Sequence, residues 1–191
     1  GKAALRSQLG LPEDGTHLVL ITGQEYYKNQ VTSLKVMEAL QASYKDGLKL
    51  VRLGRSAPEW EQCISNSPFR EHIIHLDYLP KEQMPVLYAA VDCLLFPSWY
   101  EGFGWPPVEA MACGTPAVTS NAASLPEAVG EAGITRAPDD IAGLAEAVDK
   151  LLSDEAFCKR KVEQGLKHVQ RYDWSKNAAQ VMDVYRKMRG S

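Results

Sequence analysis

Short apolar runs alternate with segments of helical period along most of the chain, and that alternation admits few folds. The runs at 17–22, 48–53, 73–76, 92–96 and 116–119 are each bounded by Gly, Pro, Asn or Asp and read as strands. Between them, residues 30–41 place Val31, Leu34, Met37 and Leu40 three apart, a stripe expected to pack on a sheet. Strands alternating with helices are the signature of an α/β domain. Beyond residue 119 the pattern is helical only. Ile141, Leu144, Ala145, Val148, Leu151 and Leu152 follow a capping candidate at Asp139 or Asp140, a second helix is expected over 155–170, and a last one from about Ser175. That last helix carries Ala178, Val181, Met182, Tyr185 and Met188 on one face, which needs something to lie on.

Composition narrows the class of function. Of 191 residues, 45% are hydrophobic and 24% charged, enough for one good core with a folded surface of roughly 9,000 Å². Lys plus Arg number 21 against 24 Asp plus Glu, so a net charge of −3 offers no field for nucleic acid or an anionic membrane. Cys63, Cys93, Cys113 and Cys158 form no CxxC pair and read as reduced, buried thiols. His72 and His75 flank a strand on opposite faces, which argues against a metal site. Lys159, Arg160 and Lys161 read as a solvated helix face rather than a lipid contact. No apolar run approaches a membrane span, residues 1–10 lack a signal-peptide pattern, and the chain reads as cytoplasmic in character. It begins without Met and ends in Gly-Ser, which suggests a piece of a longer protein.

Parallel strands joined by helices place ligands beyond the carboxyl ends of the strands, so the chemistry is expected in the strand-to-helix loops. After the fourth run comes PSWYEGFGWPPVEAMACG, in which Gly102 and Gly104 bracket Phe103, and Pro106 and Pro107 suit a first helical turn. A glycine turn opening into a helix aims backbone N–H groups and the positive end of the dipole at one point, and a diphosphate fits there. Glu101 and Glu109 flank this turn. Paired glutamates also suit a glycoside hydrolase, but the glycine turn and the nearby Lys28 favour a phosphorylated ligand.

These residues resemble the retaining, nucleotide-sugar-dependent glycosyltransferases of family 4, whose E-x7-E motif EGFGWPPVE matches, together with EAMACGTPAV and SLPEAVGEAG. The resemblance implies an α/β, Rossmann-like parallel sheet flanked by helices, the C-terminal half of a GT-B glycosyltransferase. Residues 1–172 would form the donor-binding domain and 173–191 a helix that packs toward a missing N-terminal, acceptor-binding domain. The family implies transfer of a sugar from a nucleoside diphosphate to an acceptor hydroxyl, as in polysaccharide biosynthesis, with retention, no cofactor and no metal. The fragment alone is expected to be inactive, nucleic acid is no partner, and membrane attachment would come only through the full-length protein.

Carried over by position, Glu109 matches the glutamate that accepts hydrogen bonds from the donor ribose. Glu101 matches the one beside the donor sugar, and Gly102, Phe103 and Gly104 match the turn that approaches sugar and phosphates. Lys28 matches a lysine that neutralises the leaving diphosphate, behind Gly23. Gln24 departs from the pattern, standing where an Arg is common, so one positive charge is absent; Tyr26 and Tyr27 would add hydroxyl contacts or cover an interface. Asp77, Tyr78 and Leu79 match the nucleobase segment, Ser120 and Asn121 a loop beside the donor, and Glu127 a structural position. A nucleotide- or partner-binding module without turnover, and a sugar-nucleotide epimerase, are the alternatives on the same fold.

Overall fold

A computed structural model of the chain describes residues 1–13 and 15–189. In chain order its elements are α1 (Lys2–Gln8), β1 (His17–Thr22), α2 (Gln30–Tyr44), β2 (Leu48–Leu53), α3 (Pro58–Ser65), β3 (Ile73–Leu76), α4 (Met84–Ala90) and β4 (Cys93–Phe96). There follow α5 (Trp105–Ala112), β5 (Ala117–Ser120), α6 (Leu125–Val129), β6 (Ile134–Arg136), α7 (Ile141–Ser153), α8 (Glu155–Val169) and α9 (Trp174–Arg189). The strands form one sheet of order β3-β2-β1-β4-β5-β6, parallel throughout. This is the doubly wound arrangement, whose strand order reverses between β1 and β4.

Both sheet faces are covered, which is why β4 and β5 are buried at every position and read as continuous apolar runs rather than alternating ones. On one face Val19, Ile21, Leu50 and Leu95 pack with Leu34, Val36, Met37 and Leu40 of α2, Trp60 of α3 and Leu144 and Val148 of α7. On the other, Leu18, Leu20, Val51, Leu94 and Phe96 pack with Leu87 and Tyr88 of α4, Ala110 and Met111 of α5 and Leu125 of α6. At the amino ends of the strands, Asp92 accepts from the Leu18 amide at 2.7 Å and from the buried Arg6 guanidinium at 2.8 Å, and this anchors α1.

The five expected strands are present, and several details of the expected pattern are corrected or resolved. A sixth strand, β6, follows α6: it is a three-residue edge with no apolar run, defined by its pairing to β5, as in Val118 opposite Ile134. Val31 does not join the packed stripe of α2; it is 41% exposed, and Val36 takes the sheet-facing place. Of the four free cysteines only Cys93 is fully buried, the others being half-buried. Asp140 rather than Asp139 caps α7, accepting from the Gly143 amide at 2.9 Å. Lys161 does not stand free in solvent, since its ammonium donates to the Glu131 carbonyl at 2.8 Å.

The accessible surface, 10381 Å², exceeds the roughly 9,000 Å² expected of a compact chain of this mass. The excess has a visible source in α9, which buries no residue and exposes Val181, Met182, Tyr185 and Met188. Residues 190 and 191 of the expected terminal segment lie outside the described residues. No helix among the described residues is long and apolar enough to cross a membrane.

Candidate active site at the switch point

The loops after β1 and β4 leave adjacent strands in opposite directions, and the cleft between them is where a doubly wound sheet holds its ligand. Here it brings together two residues 73 apart in sequence: Lys28 Nζ lies 2.8 Å from Glu101 Oε1, with side chains only 12% and 10% exposed. The ammonium also lies 4.8 Å from the centre of the Phe96 ring, at the end of β4, and 5.3 Å from that of Tyr27. A buried charge pair of this kind holds only while both partners are present, so each loop positions the other.

The backbone around Lys28 is tightly specified. Gly23 continues the β1 ladder through its amide to the Leu53 carbonyl, with φ +90°, and a Cβ there would stand 2.9 Å from Lys28 Cγ. Only glycine leaves the lysine stem that path. Asn29 takes the left-handed conformation, φ 53°, and is buried. Its amide nitrogen donates to the Pro97 carbonyl at 3.1 Å, the Pro138 carbonyl at 2.9 Å and Asp139 at 3.2 Å, tying three loops together beside Lys28. Trp99 adds to the clamp, with its backbone amide on the Tyr27 carbonyl and its indole N–H on Asp139, both at 2.9 Å.

Arg52, on β2, supports the same turn from beneath. It is fully buried against the Trp60 ring, donating to Gln30 Oε1 at 3.0 Å and to the Gly54 and Arg55 carbonyls, while Gln30 donates to the Gly23 carbonyl. Burial lowers the affinity of this guanidinium for its proton, with Glu61 and Asp77 opposing the shift.

The glycine turn after β4 is held from the other side. Ser124 Oγ donates to the Glu101 carbonyl at 2.9 Å, and Ser120 to the Ser98 carbonyl, so the loop after β5 braces the Glu101 turn. Gly104 is the N-cap of α5 at φ +98°, and a Cβ on it would stand 2.7 Å from Leu125 Cδ2. Pro106 and Pro107 occupy the first turn of α5, where their missing N–H groups cost no helical bond. Among the described residues, the Gly102, Phe103 and Gly104 amides donate to no protein carbonyl, which leaves them at the positive end of the α5 dipole.

Glu109 sits on the second turn of α5, exposed, and accepts from Tyr88 Oη at 2.9 Å. Burial, together with the neighbouring Glu109 carboxylate, pushes the Tyr88 hydroxyl far above its ordinary range, so it stays a donor and orients the carboxylate. Asp77 and Tyr78, on the loop before α4, are about 80% exposed, and Leu79 packs into the core beneath. Asp77 Oδ1 lies 3.5 Å from His75 Nε2, and its charge acts on the Arg52 guanidinium beneath the Lys28 turn. Gln24 is exposed, its backbone amide bonded to Glu25, and Tyr26 packs on Trp99 with ring centres 4.9 Å apart and planes tilted by 46°. Asn121 donates its amide to the Arg136 carbonyl at 2.7 Å. Glu127 contributes its carbonyl, to Tyr172, and not its carboxylate.

Four residues of this framework escaped sequence reasoning: Asn29, Arg52, Tyr88 and Trp99. Arg52 alone left a signal, a charge inside the apolar run LKLVRL of a strand covered on both faces. The partners of the others lie far along the chain, 110 residues from Asn29 to Asp139. No group of three or more His, Cys, Asp or Glu among the described residues could hold a metal ion.

Comparison with known proteins bears on the family and the fold. The model of the family described as Glycosyl transferases group 1 matches residues 1–168. A glycogen synthase of Mycobacterium tuberculosis is 41% identical over 182 residues, which is 91% of this chain and 43% of that protein. The structure of sucrose-phosphate synthase from Thermosynechococcus elongatus superposes with a TM-score of 0.85 at 27% identity, covering 98% of this chain and 49% of that one. HepE from Anabaena, solved in complex with UDP and glucose, shares the fold with a TM-score of 0.83 at 22% identity, over 97% of this chain and 52% of that one. The chain spans less than half the length of the curated relatives it matches.

Proposed function

The chain belongs to the group 1 glycosyl transferases, and on that premise we propose that it is the donor-binding half of a retaining, family 4 type GT-B enzyme that transfers a sugar from a nucleoside diphosphate. The observation that carries this reading is the Lys28–Glu101 pair at the switch point, beside the amino end of α5 and eight residues before Glu109. The diphosphate takes the Lys28 ammonium and the amides of Gly102, Phe103 and Gly104. These fixed charges and dipoles stabilise the negative charge that builds as the glycosidic oxygen leaves, without a metal ion. Glu109, oriented by Tyr88, accepts from the ribose hydroxyls, and the base lies toward Asp77, Tyr78 and Leu79. Glu101 orients the sugar once the phosphates have drawn Lys28 toward themselves.

In this reading the acceptor pocket lies on a separate half of the enzyme, toward which 173–191 packs, and the chain by itself is inactive. The UDP and glucose held by a protein of the same fold, and the glycogen synthase relative, support a nucleotide-sugar donor and a role in polysaccharide synthesis. The test is calorimetric titration with UDP, GDP and ADP, for the native chain and for Glu109→Ala. Saturable binding of one nucleotide, weakened about 10- to 100-fold by the substitution, is expected from loss of hydrogen bonds to a charged acceptor. Binding that ignores Glu109 would overturn the assignment of the ribose site.

A further inference from the structure

Arg52 carries a charge that the fold buries completely and with which no carboxylate pairs. Its Nε donates to Gln30 Oε1 at 3.0 Å, and its terminal nitrogens donate to the Gly54 and Arg55 carbonyls at 2.5 and 2.8 Å. Nη1 also lies 2.5 Å from His75 Nε2, and since a guanidinium only donates, that ring nitrogen is the unprotonated one. All these partners are neutral. Among the described residues no carboxylate forms an ion pair with Arg52, and Glu61 and Asp77 act on it only across a gap. Arg6, the other buried guanidinium among the described residues, is different, since it bonds Asp92 directly at 2.8 Å. A neutral side chain would spare the fold this desolvated charge if bracing the turn were its whole task.

The charge sits directly beneath the Lys28 turn. Gln30, which accepts from Arg52, donates to the Gly23 carbonyl. Gly54, whose carbonyl takes Nη1, lies so close that a Cβ on it would stand 3.0 Å from the Gly23 oxygen, and the Lys28 stem runs against Gly23 in turn. The turn itself is not positive. Lys28 is set against Glu101, which it binds, and Glu25, whose carboxylate accepts from the Gln24 backbone amide. One cation against two carboxylates leaves the place proposed for a diphosphate with a net negative charge until Arg52 is counted. We propose that Arg52 is a positioning residue for the donor diphosphate, bracing the Gly23 to Lys28 backbone and supplying from beneath the uncancelled positive charge that draws the phosphates in. This deepens the donor-site reading and rests on it. A buried unit charge acts through a layer of low dielectric and is little screened by salt, so it is felt over roughly 10 Å.

The experiment titrates UDP calorimetrically into the native chain and into Arg52→Gln, Arg52→Lys, Glu61→Gln and Glu109→Ala, with the thermal midpoint of each as the check on folding. Arg52→Gln keeps a hydrogen-bond donor and removes the charge, and should weaken UDP binding about 5- to 20-fold. Arg52→Lys loses the planar fork and keeps the charge, and should stay within about 3-fold of native. Glu61 is exposed on α3 and opposes the charge of Arg52, so Glu61→Gln should tighten binding about 2-fold without disturbing the buried network. A folded Arg52→Gln that binds UDP as the native chain does overturns the proposal. So does an equal loss in Arg52→Lys and Arg52→Gln, which would leave Arg52 only a brace. If Arg52→Gln does not fold, failure of Glu61→Gln to tighten binding overturns it instead. UDP binding that Glu109→Ala weakens and Arg52→Gln leaves alone would keep the donor reading and remove this one, whereas a native chain that binds no UDP removes both.

Discussion

Replacing Glu101 with Gln should tighten the binding of UDP, although it removes a residue assigned to the reaction. In the free protein Lys28 Nζ is already held, 2.8 Å from Glu101 Oε1, and an arriving phosphate must share that ammonium with a carboxylate. A phosphate oxygen within about 3 Å of Nζ lies roughly 5 Å from the carboxylate oxygens. At an effective dielectric constant near 20, two unit charges that far apart repel by about 3 kcal/mol. Solvent at the mouth of the site and salt remove part of this, so a net penalty of about 1 to 2 kcal/mol is expected at low ionic strength. Glutamine keeps the volume and an oxygen that still accepts from Lys28, so the loops stay joined while the repulsion goes. Titration of UDP into Glu101→Gln should therefore show binding about 5- to 30-fold tighter than native at low salt, the gap narrowing as salt is raised. The folded state of the variant is checked by its thermal midpoint. A folded variant that binds UDP no better than the native chain would refute the claim that carboxylate and phosphates compete for one ammonium.

Two further substitutions test the framework. Gly104→Ala places a Cβ 2.7 Å from Leu125 Cδ2 at φ +98°, and should lower stability by about 1 to 3 kcal/mol in urea unfolding. Asn29→Ala strands the Pro97 and Pro138 carbonyls and puts Ala at φ 53°, so a loss of about 2 to 4 kcal/mol is expected, lowering the thermal midpoint by about 4 to 16 °C. Asn29→Gly should recover about 1 kcal/mol of that, since glycine accepts the left-handed backbone; no recovery would mean that the side-chain bonds carry the whole effect.

The alternation of apolar runs and helical stripes sufficed for the fold class, because a parallel sheet covered on both faces leaves continuous apolar strands that pairing does not disguise. The glycine turn and its two prolines were equally legible, since they are local in sequence and follow from backbone need, whereas the flanking glutamates were read from their resemblance to a family motif. The third strand of the carboxyl half was not: Ile134–Arg136 is an edge of three half-buried residues, and only its hydrogen bonds to Val118–Ser120 make it a strand. Nor was the choice of Val36 over Val31, since both fit a helical stripe and only the position of the sheet decides which is covered. Which charge Lys28 meets, and what holds Asn29 and Arg52, depend on residues that lie tens of positions away along the chain. Sequence determined the parts that backbone geometry requires locally; tertiary structure decided their partners, because strand order at the switch point brings β1 and β4 together and with them the two loops that share one buried ion pair.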